Sequence, residues 1–321
     1  MAKFVTHVAL DTLDEVQEAT DGAALDIFQL QRGLMHATFA HAELGCSSIH
    51  SNAFSLAARG SGPLSCKRWT INVYSERSVG NFNRHRLEPT KALIFRPGAE
   101  FDGSIRGQFI DWSLTVDDTV VRQHVRQVFG RDLPHLSSTC MAVRPDPSLL
   151  ARVRRFARHV LARGDSDHAS LPPLAADELQ RQLTDYVARI LMCQEVVTDK
   201  THRSRTSHSQ IVNKVENYLA DHSDQPVSIP QLGVLAGVSE RTLRSAFQTV
   251  LGISPKAYIR ARRLRNARSR LRQSSSEDAT VSGIAMSSGF SHLGHFAQEY
   301  YAFFGETPSE TLRASTTRKA L

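Results

Sequence analysis

The sequence predicts an α+β protein: a roll or barrel of short strands with attendant helices, then an all-α domain in which one helix-turn-helix pattern occurs twice. Three observations predict it. Between Met35 and about Val116, short aromatic and β-branched segments alternate with turn residues. After Val116 the apolar period changes to that of helices. From Ser228 to Thr311 a single pattern is written out two times.

Taken in order, residues 1 to about 30 carry one candidate helix, Thr12 to Ala19. Strand texture follows at His36 to His41, Ala53 to Ala57, Trp69 to Tyr74, Leu93 to Phe95 and Phe109 to Val116. Breaks are expected at Gly60-Ser-Gly62-Pro63, at Pro97-Gly98 and at Gly103, which gives six to eight strands. Two amphipathic helices come next. Leu149, Leu150, Val153, Phe156, Ala157, Val160 and Leu161 form one apolar stripe, and Leu179, Leu183, Val187, Ile190 and Leu191 form another, with Pro172-Pro173 between. Such stripes pack on the chain's own strands, form a dimer interface, or do both. Residues 1–196 are therefore assigned to a first domain, the polar stretch 197–209 to a linker, and 210–321 to a second domain. The fragment from about 206 to 321 is expected to fold alone.

In the second domain, Ile211, Val212, Val215, Tyr218 and Leu219 open with an amphipathic helix. The first copy of the repeat runs through Leu232, Gly237, Ser239, Leu243 and Phe247 to Gly252 and Ser254-Pro255. The second runs through Ile284, Gly289, Ser291, Phe296 and Tyr300 to Gly305 and Thr307-Pro308. The turn glycines lie 52 residues apart and the closing glycines 53, so the second turn is one residue longer. Ser228-x-x-Gln231 has the spacing of a capping box, and Ser239 is placed to cap the helix after the turn. With Leu243 and Phe247 packed inward, Arg241, Arg244 and Ser245 face out, on the side such motifs lay in a major groove. Lys256 to Arg272, if helical throughout, is a rod roughly 25 Å long, the scale needed to set two reading helices about 34 Å apart on DNA.

These residues carry a resemblance. Gly237-Val-Ser-x-Arg-x-Leu243-x-x-x-Phe247, Gly252-Ile-Ser-Pro255, the arginine-rich Tyr258-x-Arg260-x-Arg262-Arg263-Leu264, and Gly289-Phe290 through Gly305-x-Thr307-Pro308 resemble the DNA-binding domain of the AraC/XylS family of transcription regulators. The chain departs from that pattern at Gly233, Ser245, Gln298 and Tyr301-Ala302, where the family favours alanine, arginine, arginine and basic residues. The resemblance implies a regulator of transcription, commonly an activator, with double-stranded DNA and RNA polymerase as partners. It also implies a cupin-like N-terminal domain that binds a small-molecule effector and forms a homodimer. On that reading Arg241, Arg244 and Ser245 read bases from the first unit and Leu293, His295 and Gln298 from the second. Lys256, Arg260 and Arg262 anchor phosphates.

Charge supports this reading: residues 201–321 hold 16 Lys and Arg against 9 Asp and Glu, whereas residues 1–200 balance at 23 each. The whole excess of +7 lies where DNA is expected. No apolar run approaches the ~20 residues of a membrane span and no signal-peptide core is present, so a cytoplasmic protein is expected. Cys46, Cys66, Cys140 and Cys193 are too widely spaced for a zinc knuckle. A metal-dependent cupin enzyme fused to the DNA-binding part is the alternative. It requires converging ligands, yet no H-x-H occurs, and His36, His41, His50 and His85, on or near the expected strands, are either brought together by folding or are core and surface residues. Nucleotide, zinc-protease and serine-hydrolase motifs are absent too, so no enzyme, metal or cofactor is expected. For an effector pocket the candidates are Trp69, Tyr74, Arg84, His85, Arg86, Arg96 and Trp112.

Overall fold

In the computed structural model the longest described strand, Phe109–Asp117, alternates faces in a way that organises the first half of the chain. Residues 5–10, 25–134, 136, 138–162, 172–193, 195–197, 202–222, 227–274 and 279–319 are described. The candidate helix at Thr12 to Ala19 lies outside them. The described strands are β1 (Val5–Leu10), β2 (Asp26–Gln29), β3 (Ala37–Leu44), β4 (Ser47–Phe54), β5 (Ala58–Pro63), β6 (Arg68–Tyr74), β7 (Gly80–Phe82), β8 (His85–Arg86), β9 (Ala92–Phe95), β10 (Glu100–Ile105), β11 (Phe109–Asp117) and β12 (Cys140–Val143). They form a seven-stranded sheet in the order β1-β3-β4-β11-β6-β9-β12 and a five-stranded sheet in the order β2-β5-β10-β7-β8. The strands thus form a two-layered roll. Gly60 to Pro63, expected as a break, lie inside β5. Glycine there lets Phe101 approach closely, since a Cβ at Gly60 would stand 3.3 Å from its ring.

Period-two alternation gives the large sheet two unlike faces. Register places Ile49 opposite Leu114 and Leu114 opposite Ile71, all fully buried on the first face. Three helices cover that face: α1 (Asp118–Phe129), α2 (Pro147–Leu161) and α3 (Pro173–Leu191). Both sequence-identified stripes lie in this core. Leu149, Leu150, Val153, Val160, Leu183, Val187, Ile190 and Leu191 are all buried, with Leu183 and Val187 at 0% exposure. Of the two roles expected for these stripes, packing on the chain's own strands is the one these side chains fill. The second face carries Ser48, Asn52, Asn72, Asp111 and Thr115, with Tyr74, Phe82 and Phe109 in aromatic contact between the layers.

The chain divides into two compact units, the second comprising Phe28–Met35, Leu56–Arg59 and Thr201–Leu321. Its helices are α4 (His202–Asp221), α5 (Ile229–Ala236), α6 (Glu240–Val250), α7 (Pro255–Gln273), α8 (Val281–Ser287), α9 (Leu293–Phe304) and α10 (Pro308–Lys319). Helix α4 starts within the stretch read as linker, since a polar run without proline is no barrier to a helix. Phe28, Leu30 and Ala57 belong to the same apolar cluster as Val212, Leu232, Phe247 and Tyr258. Glu216 accepts two hydrogen bonds from Arg59, at 3.0 and 2.9 Å, and one from the Tyr258 hydroxyl at 2.9 Å. A fragment from 206 to 321 would therefore expose apolar surface and leave Glu216 without its cation, so the expectation of a self-sufficient C-terminal fragment is revised.

Candidate nucleic-acid interface

Each helix-turn-helix is assembled by local rules. In the first, Ser228 and Gln231 close a reciprocal capping box and Pro230 occupies the first turn of α5. Gly237 ends that helix at φ 71°, a left-handed conformation that favours glycine. Ser239 then caps α6 by accepting from the Thr242 amide at 3.2 Å. Leu243, Ala246 and Phe247 are buried beneath α6. The opposite side exposes Arg241, Arg244, Ser245 and Gln248. Arg244 lies 3.9 Å from Glu240, and both are too exposed for the pair to hold the guanidinium firmly.

In the second unit Thr280 caps α8, Gly289 turns the chain at φ 84°, and α9 begins one residue later after its glycine than α6 does after Gly237. Phe296, Tyr300, Phe303 and Phe304 fill the underside. Leu293, His295 and Gln298 are exposed together on the other side. The sequence-derived reading residues therefore share one exposed face per helix in both units.

Helix α7 joins the units and is capped by Ser254, which accepts from the Ala257 amide at 3.2 Å. Its arginines mostly face the second unit. Arg260 donates from Nε to Glu299 Oε2 at 2.6 Å, Arg263 reaches the Gly289 carbonyl at 3.4 Å, and Arg270 donates to Ser287 at 2.9 Å. Arg268, buried, pairs with Glu306 at 3.0 Å and lies 4.4 Å from the Phe304 ring centre. Arg260, expected to anchor phosphate, is instead committed to a carboxylate that is 5% exposed. Lys256 is exposed, and Arg262 is half-buried with no hydrogen-bond partner for Nε among the described residues. Sequence reasoning missed Glu299 altogether, because a glutamate on an amphipathic helix reads as a solvated residue.

The effector candidates do not converge. Trp69 and Tyr74 are five apart on β6 and so point to opposite faces of the sheet. Trp69 sits in the helix-side core and donates to Asp118 at 2.6 Å, while Tyr74 is fully buried between the layers. Arg84 lies in the turn between β7 and β8 at φ 73°, flanked by His85 and Arg86, and Arg96 donates to the Leu136 carbonyl at 3.0 Å. Trp112 lines an open hollow of about 390 Å³ on the helix-facing side of the large sheet. Thr38, Ser51, Ile110, Arg158 and Leu161 share that lining. His41 and His50 do meet, with their Nδ1 atoms 3.2 Å apart. No group of three potential metal ligands forms among the described residues.

Comparison with known proteins bears on the second unit above all. The family described as "Helix-turn-helix domain" matches residues 233–314. XylDLEGF operon transcriptional activator 3 of Pseudomonas putida is 31% identical over 169 residues, 50% of this chain and 51% of its own. A second P. putida protein, XylDLEGF operon transcriptional activator, is 38% identical over 100 residues, 31% of each chain. This chain thus spans about half the length, or less, of these curated relatives. A solved chain from Rhodopseudomonas palustris, described as a probable AraC family transcriptional regulator, is 41% identical with a TM-score of 0.31; the match covers 33% of this chain and 96% of that one. With both copies of the repeat folded as helix-turn-helix units inside the shared region, residues 233–314 form a helix-turn-helix domain similar to that of the XylDLEGF operon activators.

Proposed function

We propose that this protein is a sequence-specific, duplex-DNA-binding regulator of transcription that works in the cytoplasm and responds to a small molecule held by its N-terminal unit. The observation that carries the reading is the pair of exposed helix faces, Arg241, Arg244 and Ser245 on α6 and Leu293, His295 and Gln298 on α9, on units joined by α7. Nineteen residues of α7 give a rod roughly 28 Å long, which suits two neighbouring major-groove faces. Lys256 and Arg262, with amide groups at the capped helix starts, supply the phosphate contacts. The net charge of +7, all from residues 201–321, favours the encounter. RNA polymerase and a second copy of the chain complete the partners of the proposal. The cavity beside Trp112 and Arg158 is the place offered for the effector, since its volume falls in the range of small-ligand sites. Among the described residues no helix is long and apolar enough to cross a membrane.

Titration of the full-length protein against its preferred duplex at rising salt tests the reading. Six neutralised phosphates give a slope near −5 in log K against log salt, roughly a thousandfold loss between 50 and 200 mM. A flat salt dependence overturns it. The two units are also expected to contribute unequally. Arginine makes bidentate contacts to guanine worth about 1 to 3 kcal/mol in discrimination, and the exposed face of α6 offers two arginines where that of α9 offers none. Arg244→Ala is expected to cost more affinity than Gln298→Ala at fixed salt, and to relax base preference in one half of the site only. Equal losses from the two variants contradict this.

A further inference from the structure

Glu299 stands on the reading helix α9 yet is only 5% exposed. A carboxylate is costly to bury unless cations and hydrogen bonds compensate it, and the fold itself does not ask for one. At the corresponding place in the first unit, the residue before the buried aromatic of α6, the chain has Ala246, which is fully buried. The packing of a reading helix against its neighbours is therefore satisfied by a methyl group. What distinguishes Glu299 is the set of groups it gathers. Arg260 of α7 donates from Nε to Oε2 at 2.6 Å and places Nη2 against Oε1. His295, one turn earlier on α9, brings Nδ1 to 3.3 Å of Oε1, and Arg32 of the same compact unit brings Nη2 to 3.6 Å. Oε1 nonetheless makes no aligned hydrogen bond. With Nδ1 toward the carboxylate, the imidazole presents its Nε2 edge outward from a side chain that is 63% exposed.

We propose that Glu299 is a positioning residue for specificity: it locks α9 onto α7 through Arg260 and orients His295 so that Nε2 meets the nucleic acid. The inference rests on the DNA-reading assignment made under Proposed function. A carboxylate held between the connecting helix and the reading face is the arrangement that fixes a recognition side chain, as outer-shell carboxylates fix histidines elsewhere.

The test uses full-length protein and measures base preference at each position of the preferred duplex, beside the thermal midpoint. Glu299→Gln keeps the shape and removes the charge. It is expected to lower affinity about tenfold and flatten preference under α9 only, leaving the positions read by α6 unchanged. Adding His295→Ala to Glu299→Gln is expected to cost less than about twofold more, whereas His295→Ala alone costs several times that. Arg260→Lys, which retains a cation, is expected to recover most of the preference that Arg260→Ala loses. Equal losses in both halves of the site, as simple destabilisation gives, overturn the proposal. So does an undiminished preference in Glu299→Gln, or a His295→Ala cost that is the same with and without Glu299. Failure of the underlying DNA reading is seen separately, as a wild-type protein that shows no base preference at all.

Discussion

Leu183→Asp or Val187→Asp unfolds the N-terminal unit. Both side chains are at 0% exposure in the core between α3 and the large sheet. Each substitution gives up about 2 kcal/mol or more of apolar burial and adds a carboxylate with no partner. The sum, about 4 kcal/mol or more, is comparable to the whole stability of many domains. Tryptophan emission reads this unit selectively. The protein's two tryptophans, Trp69 and Trp112, both lie in it and are 3% and 8% exposed. The variants are expected to show red-shifted emission at 25 °C. A native emission spectrum from a dissociated protein contradicts this and returns the α2 and α3 stripes to the role of a dimer interface.

The second large effect concerns acid stability, and it is a cancellation. Burial, followed by His41 and Arg68, depresses the His50 imidazole to about 4. Burial also pushes the Asp111 carboxyl up to about 6, against the pull of hydrogen bonds from Asn52 and Asn72. For His50 the folded state binds fewer protons than the unfolded chain between its ordinary value and 4. Its contribution is present at neutral pH and is lost as pH falls from about 6.5 to 4, roughly 3 kcal/mol in all. For Asp111 the folded state binds more protons between 3.8 and about 6. Its contribution is present at low pH and is lost as pH rises through that window, again about 3 kcal/mol. The windows overlap and the slopes oppose, so the wild-type unit is expected to vary little across them from this pair. Asp111→Asn removes one slope and leaves stability falling steeply on acidification. His50→Gln leaves the opposite slope. Urea unfolding followed by tryptophan emission from pH 4 to 7 measures both, and curves for the two variants that run parallel to the wild type contradict the assignment.

Much of the second unit was legible because its rules are local. Four glycines mark its turns, and Gly237, Gly252, Gly289 and Gly305 all take positive φ, between 71° and 84°. Ser228, Ser239 and Ser254 each cap the helix they precede. The exposed sides of α6 and α9 followed from Leu243, Phe247, Phe296 and Tyr300 at four-residue spacing, which fixes the inward face. Partners across the unit were not legible. Periodicity shows that Arg260 lies on a basic helix, but only folding brings Glu299 to it. The strands show the same limit. β6, β9 and β11 are long or apolar enough to announce themselves, while β7, β8 and β12 have two to four residues and too little alternation to be seen. Gly60 to Pro63 look like a turn by composition, and their place within β5 is set by the close approach of Phe101. Trp69 and Tyr74 were grouped as pocket candidates for their chemistry, and the parity of β6 separates them. The apolar stripes were correctly seen, and what covers them was undecidable until the sheet stood beneath them.

Hydroxyl-radical footprinting of the full-length protein on a duplex selected from a random pool tests the central claim most directly. Two reading helices joined by α7 predict enrichment of one sequence and two protected segments on the same side of the duplex, centred about one helical turn, roughly 34 Å, apart. Arg244→Ala should weaken protection in one segment and leave the other. A pool that does not converge, or a single protected segment indifferent to substitutions in α9, contradicts the assignment of two DNA-reading units to this chain.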